Sequence, residues 1–525
     1  MTLHTAPTRS TQPTPDAGPP GTTGEVHRWR ERARWWPVVA LAPAAAFALL
    51  TAWWTPRGPT TTVEALTAMA LGLAVGVAAG RLMHSRWAVL AAPLVFVVVL
   101  ELARWPVDGP TVDGLRLTSM SGLAALVLGR GLQGLIVLLP MMLGAAWGAR
   151  AARDRIAAGT FSEDQARRRR RRFVAQVVAG SLVLVGLAVA IAQPAETDPI
   201  VDADGNPVPG SVAELTTVDV GEHDLALMLR GVSVDNPVLL FLAGGPGGTE
   251  LGAMRRHSAD LEDHFVVATL DQRGTGRSYG ALDPTSTLTV DGAVADVVAV
   301  TDYLRDRFGQ DKLYLVGQSW GTILGVLTVQ ERPDLFVAFV GVGQMVDPTA
   351  TDRRFYEDTL AWARRTGDDG LVDTLVANGP PPYSDPEDYV PAVSSELQVY
   401  PYDHSVNDEG SGQMAENIFV EEYSLLDKLH IFPGVMDTFA LLYPQVQGVD
   451  FRTQVPRLEV PVYLVQGRYE APGRAEPARE WFDLLDAPTK ELLVFDTSGH
   501  RPLWEQPEEF HDVLTETVLP KTQQR

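Results

Sequence analysis

The chain has 525 residues, enough for two or three domains, and a formal net charge of −22 with no cysteine, which excludes disulfides, a thiol nucleophile and thiolate-bound metal. The charge is split: residues 1–195 hold 20 Lys+Arg against 10 Asp+Glu, and residues 196–525 hold 23 against 55. The acidic second part lacks the clustered cations that nucleic-acid phosphates require, so no nucleic acid is expected as a partner.

Residues 1–24, rich in Thr, Pro and Gly, cannot bury a core and read as part of a disordered cytoplasmic tail ending at residue 35. Four stretches that follow are long and apolar enough to cross a bilayer, at about 36–54, 63–79, 87–103 and 173–192. A fifth lies within 122–147, where Arg130 and Gln133 interrupt the apolar run and the span is placed at 132–147. The first stretch also fits a signal peptide, but its length and the further spans favour a retained helix. Arg28, Arg30, Arg32 and Arg34 precede the first span, Arg81 and Arg86 follow the second, and Arg150, Arg153, Arg155 and the run Arg167 to Arg172 precede the fifth. The other loops hold only Arg57, Arg104 and Arg116. By the positive-inside rule this is a multi-pass cell-membrane protein, 36–192 being all-α and transmembrane, with a cytoplasmic N-terminus and an extracytoplasmic second half. The lipid bilayer is thus an expected partner, and the six-Arg run reads as a topology determinant or anionic-lipid contact rather than a nucleic-acid patch. Glu64, Glu101 and Arg130 lie in or beside apolar segments, where charge is costly and points to function, although Glu64 and Glu101 are near enough to span ends to snorkel. Simple anchoring stands against transport or sensing for this region.

Residues 193–212 read as a linker. Strand-like runs then recur at 215–220, 225–229, 238–242, 265–270, 313–316, 336–342, 460–465 and 492–495. Helical patterns at 290–307, 320–330, 475–485 and 505–518 separate the later ones. Hairpin-like strands followed by β-α alternation predict an α/β fold with a mostly parallel, doubly wound sheet. The alternation lapses over 347–456, which reads as a helical cap inserted between core parts 213–346 and 457–525.

The chemistry centres on the string LYLVGQSWGTIL, residues 313–324. An apolar strand, the turn Gly317-Gln318-Ser319-Trp320-Gly321 and a helix place Ser319 on a nucleophile elbow. The string G-x-S-x-G alone is a weak signal, and its strand and helix context strengthens it. A serine hydroxyl needs a base oriented by a carboxylate. His500, in the loop after run 492–495, fits the base, its rivals His430 and His511 lying within helical patterns. Glu470, just after run 460–465, fits the acid; its rival Asp496 is too near His500 in sequence to approach the far ring nitrogen easily. The loop Leu242-Ala243-Gly244-Gly245-Pro246-Gly247-Gly248 offers an oxyanion donor from Gly244 or Gly245, with Trp320 supplying the other. Without a P-loop Lys or a G-x-G-x-x-G string this loop is not read as a phosphate site. No cofactor and no metal is expected.

The combination GGPGG, then DQRGTGRS at 271–278, then GQSWG, GRYE and SGH resembles the prolyl aminopeptidase (proline iminopeptidase) group of α/β-hydrolases over roughly residue 238 to the C-terminus. The resemblance implies an α/β-hydrolase fold with Ser319 as nucleophile, His500 as base and Glu470 as its orienter. Within DQRGTGRS, Asp271 and Arg273 read as braces of a loop beside the site. The family usually has His where this chain has Ala243, and Asp where it has Glu470. In the family, cap carboxylates hold the substrate ammonium, and Ala415-Glu416-Asn417-Ile418-Phe419 resembles a segment bearing one, which makes Glu416 a substrate-binding candidate. Glu396, Glu421 and Glu422 nearby also fit a solvated acidic helix face. The implied protein is a membrane-anchored serine hydrolase releasing N-terminal residues, proline-type, from short peptides through an acyl-enzyme. The alternatives are an esterase or amidase on small acyl substrates, or a transporter or sensor with a hydrolase-like binding domain. The expected partner is a small peptide or acyl substrate, and no oligomeric state is implied.

Overall fold

Eight strands form one sheet, and each overlaps a run read as strand-like: β1 Val212–Asp219, β2 Asp224–Gly231, β3 Val238–Leu242, β4 Val266–Leu270, β5 Leu313–Gln318, β6 Phe336–Val342, β7 Val462–Gly467 and β8 Lys490–Phe495. The computed structural model describes residues 23–113, 120–157, 161–401 and 414–523. Strand order is β1-β2-β4-β3-β5-β6-β7-β8. β1 and β2 pair as a hairpin and β2 meets β4 antiparallel, while every pair from β4–β3 to β7–β8 is parallel. Parallel neighbours need crossovers, and the helices Val290–Phe308, Trp320–Glu331 and Pro472–Leu484 supply them. The period of two divides the strands between two cores. Leu240, Leu242 and Leu315 pack with Val297 and Ile323 on one face, while Phe241, Tyr314 and Val316 pack with Met254 and Phe510 on the other. Covering both faces is what makes the central strands near-continuous apolar runs.

The chain between β6 and β7, the segment read as a cap, forms helices. Asp347, Asp368 and Ser424 cap Pro348–Thr366, Asp369–Asn378 and Leu425–Leu442, each side chain accepting from a backbone amide of the first turn.

The N-terminal region is helical throughout its described spans. The first helix, Thr23–Trp54, begins inside the segment read as tail, because residues 25–34 are rich in Arg and Glu, good helix formers. Thr62–Met83, Gly122–Ile156 and Glu163–Ile191 are long and apolar enough to cross a membrane, and Val38–Trp54 and Ala88–Ala103 are shorter apolar helices. The stretch read as interrupted at Arg130 and Gln133 runs on as one helix, accommodated by π-helical stretches at Leu126–Arg130 and Gly134–Leu138. Helices Thr62–Met83 and Gly122–Ile156 approach backbone to backbone through small residues: a Cβ at Gly76 would lie 2.0 Å from the Met141 carbonyl oxygen, and one at Gly148 2.3 Å from that of Val77. Residues 1–22, Arg116 and the cap segment 402–413 lie outside the described residues.

Candidate active site

β5 ends at Gln318 and the next helix starts at Trp320, so Ser319 alone makes the turn, at φ 51° and ψ −116°. That strained conformation is held because the chain is crowded on both sides: a Cβ at Gly317 would sit 2.3 Å from the Gly321 carbonyl oxygen, and one at Gly321 2.2 Å from that of Leu242. The elbow therefore pushes Ser319 Oγ out of the sheet, where His500 Nε2 lies 2.9 Å away. His500 Nδ1 lies 2.5 Å from Glu470 Oε2. The three residues are 319, 470 and 500 in sequence, carried by the loops after β5, β7 and β8.

Glu470 is buried, and burial alone would raise its pKa. The Arg474 guanidinium and the His500 imidazole outweigh that and hold it at about 2. An ionised carboxylate can only accept, so Nδ1–H donates to Glu470 and Nε2 is left to accept the Ser319 proton. Glu470 Oε1 accepts from the Ala471 amide at 2.8 Å and from Arg474 Nε at 2.9 Å. Arg474 also pairs with Glu396 of the cap and lies over the Phe355 ring, 4.8 Å from its centroid. The extra methylene of Glu relative to Asp is thus fixed by a second anchor one helical turn along.

The rivals go elsewhere. Asp496 is exposed and pairs with Arg468. His430 is buried in the cap, stacked on Tyr279 at 4.4 Å, and burial lowers its pKa to about 4. His511 lies on the helix Pro507–Asp512 beside Asp512.

In the glycine loop, the Gly244 amide donates to Glu250 Oε2 at 2.9 Å. Among the described residues the Gly245 amide, at φ +126°, has no acceptor. The Trp320 amide is the first of its helix and has no intrahelical partner. The loop is braced by a residue the motif reading passed over. Gln272 donates through Nε2 to the Ala243 carbonyl and accepts from Trp320 Nε1, both at 2.9 Å, joining the two donor-bearing segments. On either side of it, Arg273 forks onto Asp296 at 2.9 and 2.7 Å, and Asp271 accepts from the Arg277 amide and from Tyr423 Oη of the cap. These are brace geometries. Gly343, at φ +60°, closes against the His500 ring, since a Cβ there would lie 2.9 Å from Nδ1.

Glu250 is the other feature sequence reasoning missed. It is buried, and burial pushes its pKa up to about 7 against the opposing pull of the Gly244 amide and Arg501. A Cβ at Gly244 would lie 3.3 Å from Glu250 Oε1 and 3.4 Å from Ser319 Cβ, so the carboxylate and Ser319 both border this glycine of the loop. A carboxylate six residues beyond Gly244 was the available signal. Glu416 instead faces His257 Nε2, 3.0 Å from each carboxylate oxygen, with Arg256 at 3.9 Å. Among the described residues no group of three or more His, Asp or Glu side chains converges as a metal site.

A family model described as alpha/beta hydrolase fold matches residues 237–507. The probable aminopeptidase YbaC of Bacillus subtilis (strain 168) is 29% identical over 308 residues, covering 58% of this chain and 96% of its own length. A proline iminopeptidase of Xanthomonas citri is 38% identical over 104 residues, 20% of this chain and 31% of its own length. Among solved structures, a proline iminopeptidase of Mycobacterium smegmatis is 19% identical at a TM-score of 0.41, covering 58% of this chain and 98% of that one.

Proposed function

We propose that this chain, which belongs to the alpha/beta hydrolase fold family by the match over residues 237–507, is a membrane-anchored serine aminopeptidase that releases N-terminal residues, proline-type, from short peptides. The observation that carries the reading is the relay from Ser319 Oγ through His500 to Glu470, at 2.9 and 2.5 Å. The near full-length match to a relative named a probable aminopeptidase supports the substrate class.

In this reading Ser319 Oγ attacks the scissile carbonyl as His500 Nε2 takes its proton, and Glu470 steadies the imidazolium. The Trp320 amide and a glycine-loop amide receive the oxyanion. Of Gly244 and Gly245, the second is free for the task, because Glu250 holds the first. His500 then protonates the leaving amine, an acyl-enzyme forms on Ser319, and water attacks it by the same base. Demand for a free N-terminus needs a carboxylate facing an ammonium. Glu416 is the candidate indicated by the sequence, and Glu250 is a second, favoured by its burial against Gly244 of the same loop.

The bilayer reading is supported by the three long apolar helices and by exposed tryptophans at helix ends, Trp53 and Trp105 at one end of the bundle and Trp87 at the other. The cap at 347–456 and the core at 213–346 and 457–525 then face the outside, and a reporter fused after Ala195 should read extracytoplasmic. A cytoplasmic signal would overturn the five-span topology.

The decisive experiment takes the full chain in detergent or nanodiscs and compares proline and alanine arylamides bearing free N-termini with N-acetylated partners and a simple acyl ester. Turnover of the free-amine arylamides alone, abolished in Ser319→Ala, is expected. Cleavage of the ester with both amide classes ignored would sink the aminopeptidase reading and put an esterase in its place.

A further inference from the structure

Four charged residues of the N-terminal bundle, Arg57, Glu101, Arg104 and Arg130, gather at its contact with the cap. Arg57, in the turn after the first helix, is buried, and its Nη1 donates to Asp437 Oδ2 of the cap helix Leu425–Leu442 at 2.9 Å. Its Nε and Nη2 donate to Asp283 at 3.1 and 3.3 Å, and Nη2 also reaches the Asp108 carbonyl. Thr111, from the next bundle loop on this side, donates to the same Asp437 through its amide at 3.0 Å and its hydroxyl at 2.6 Å. Gly109 leaves no room for a side chain, since a Cβ there would lie 2.7 Å from Asp437 Oδ1.

Both loops are held from within the bundle. Arg130 donates to the carbonyls of Thr111, Val112 and Asp113 at 3.1, 3.1 and 2.7 Å. Arg104 donates to the Pro56 carbonyl and Gln133 to that of Thr55, and Glu101 pairs with both Arg104 and Arg130. The costly charges of the apolar region thus present two loops to one buried carboxylate.

That carboxylate sits on the helix that closes the active-site loops. A Cβ at Gly247 of the glycine loop would lie 2.9 Å from Val435 Cα and 3.1 Å from Thr438 Cβ. Thr438 Oγ1 donates to the Gly274 carbonyl at 3.3 Å. At the other end of the helix, Leu426 is buried among the bundle's own apolar side chains.

We propose that the N-terminal bundle is a working part of the active site, in which Arg57 and Thr111 are positioning residues that hold the cap helix, through Asp437, against the glycine loop bearing the oxyanion donor. The inference rests on reading Ser319, His500 and Glu470 as the catalytic centre. Removing the Arg57 charge leaves Asp437 buried with its strongest partner gone, so the helix loosens and the loops it covers open with it.

The test uses the full chain in nanodiscs, with Arg57→Met, Arg57→Lys, Thr111→Val and, at the far end of the bundle, Arg150→Met. Hydrogen exchange is read at 244–248, 272–278 and 425–442, with 313–318 in the central strand as internal reference, alongside kcat and KM on the arylamides. Arg57→Met should speed exchange roughly 10-fold or more in the three segments while the reference is unchanged, and lower kcat by a similar factor. Thr111→Val should move both readouts the same way by less, Arg57→Lys should recover part of the loss, and Arg150→Met should change neither. Should Arg57→Met fail to fold, Thr111→Val carries the test. Exchange in the three segments equal to wild type in both variants, or raised no more than in the reference strand, would overturn the proposal. A wild-type chain that hydrolyses no arylamide would defeat the functional reading instead, and the exchange arm would still decide the coupling.

Discussion

Replacing Arg474 by methionine removes a buried cation while keeping most of the side-chain volume, and it strikes Glu470 directly. The fall of Glu470 from an ordinary 4.5 to about 2 corresponds to roughly 3 kcal/mol favouring the ionised form. Burial works against that form, and Arg474 and His500 are the main groups that overcome it, beside the Ala471 amide. Because the folded-state value lies below the unfolded one, this stability is fully present above about pH 4.5 and is lost as pH falls towards 2. Without Arg474 the carboxylate keeps its burial and loses one of its two cations, so its pKa rises and the acid-side loss begins at higher pH. Breaking one side of a buried ion pair costs about 3–5 kcal/mol, part of which should appear as a lower thermal midpoint. Catalysis should suffer separately: with Oε1 released from Arg474 Nε, Glu470 Oε2 no longer holds His500 in register. We expect kcat to fall about 100-fold, near 2.7 kcal/mol in barrier, with KM changed by less. The assay is kcat and KM against pH on the full chain, beside Arg474→Lys, which should restore part of kcat. An Arg474→Met chain with wild-type kcat and an unshifted acid limb would refute the reasoning.

Glu250 and Glu416 are separated by one comparison. If Glu250 reads the substrate ammonium, Glu250→Gln should raise KM about 10-fold or more for free-amine arylamides and leave it near wild type for the acyl ester, a charge-assisted hydrogen bond being worth about 1.5–3 kcal/mol; the same pattern in Glu416→Gln alone would move the role to the cap. Three buried acids also set a pH dependence opposite to that of Glu470. Burial raises Glu250 and Asp352 to about 7 and Asp271 to about 6, each against partial relief from hydrogen-bond donors. Across the interval from about pH 4.5 to 7 the folded chain binds protons at these sites that the unfolded chain has released, so stability should decline as pH rises through it. Thermal midpoints measured from pH 4 to 8 should fall over that interval, less steeply in Glu250→Gln. A midpoint that climbs from pH 4.5 to 7 would contradict the assignment.

The centre of the sheet was legible because its strands are covered on both faces. Runs such as residues 238–242 and 336–342 are apolar at every position or nearly so, and their bounds match the strands found. The Ser319 turn and the loop positions of Glu470 and His500 were equally plain, since each lies within a few residues of a strand end and needs only local chemistry to be recognised. Boundaries slipped where one local signal concealed a second. The expected helix at 505–518 is broken at its start, where Pro502 and Pro507 open two short pieces, and it finishes as a π-helical stretch. Arg474 was hidden differently: a residue four beyond the acid on a polar helix looks like any surface arginine until Phe355 and Glu396 are brought over it. Gln272 sat inside a motif already singled out, between two charged neighbours that drew the attention.

The bundle charges show where sequence reasoning stops. A charge in an apolar segment is costly, and that cost drew Glu101 and Arg130 out of the sequence as candidates, which the structure pairs with each other beside the 104–113 loop. The purpose cannot be read locally, because the group they serve, Asp437, lies more than 300 residues further along. Asp437 is itself unremarkable in sequence, one of two acids on a largely apolar helix that also carries Lys428 and His430. Burial converts it into a group that needs a cation and several donors. Among the described residues, the bundle loops and Tyr279 provide them. A cap helix with such a residue is stable in its place while the bundle is docked beneath it. The hydrolase part cut free at residues 193–212 would expose Leu426 and leave Asp437 without Arg57 and Thr111, so it should lose thermal stability relative to the full chain.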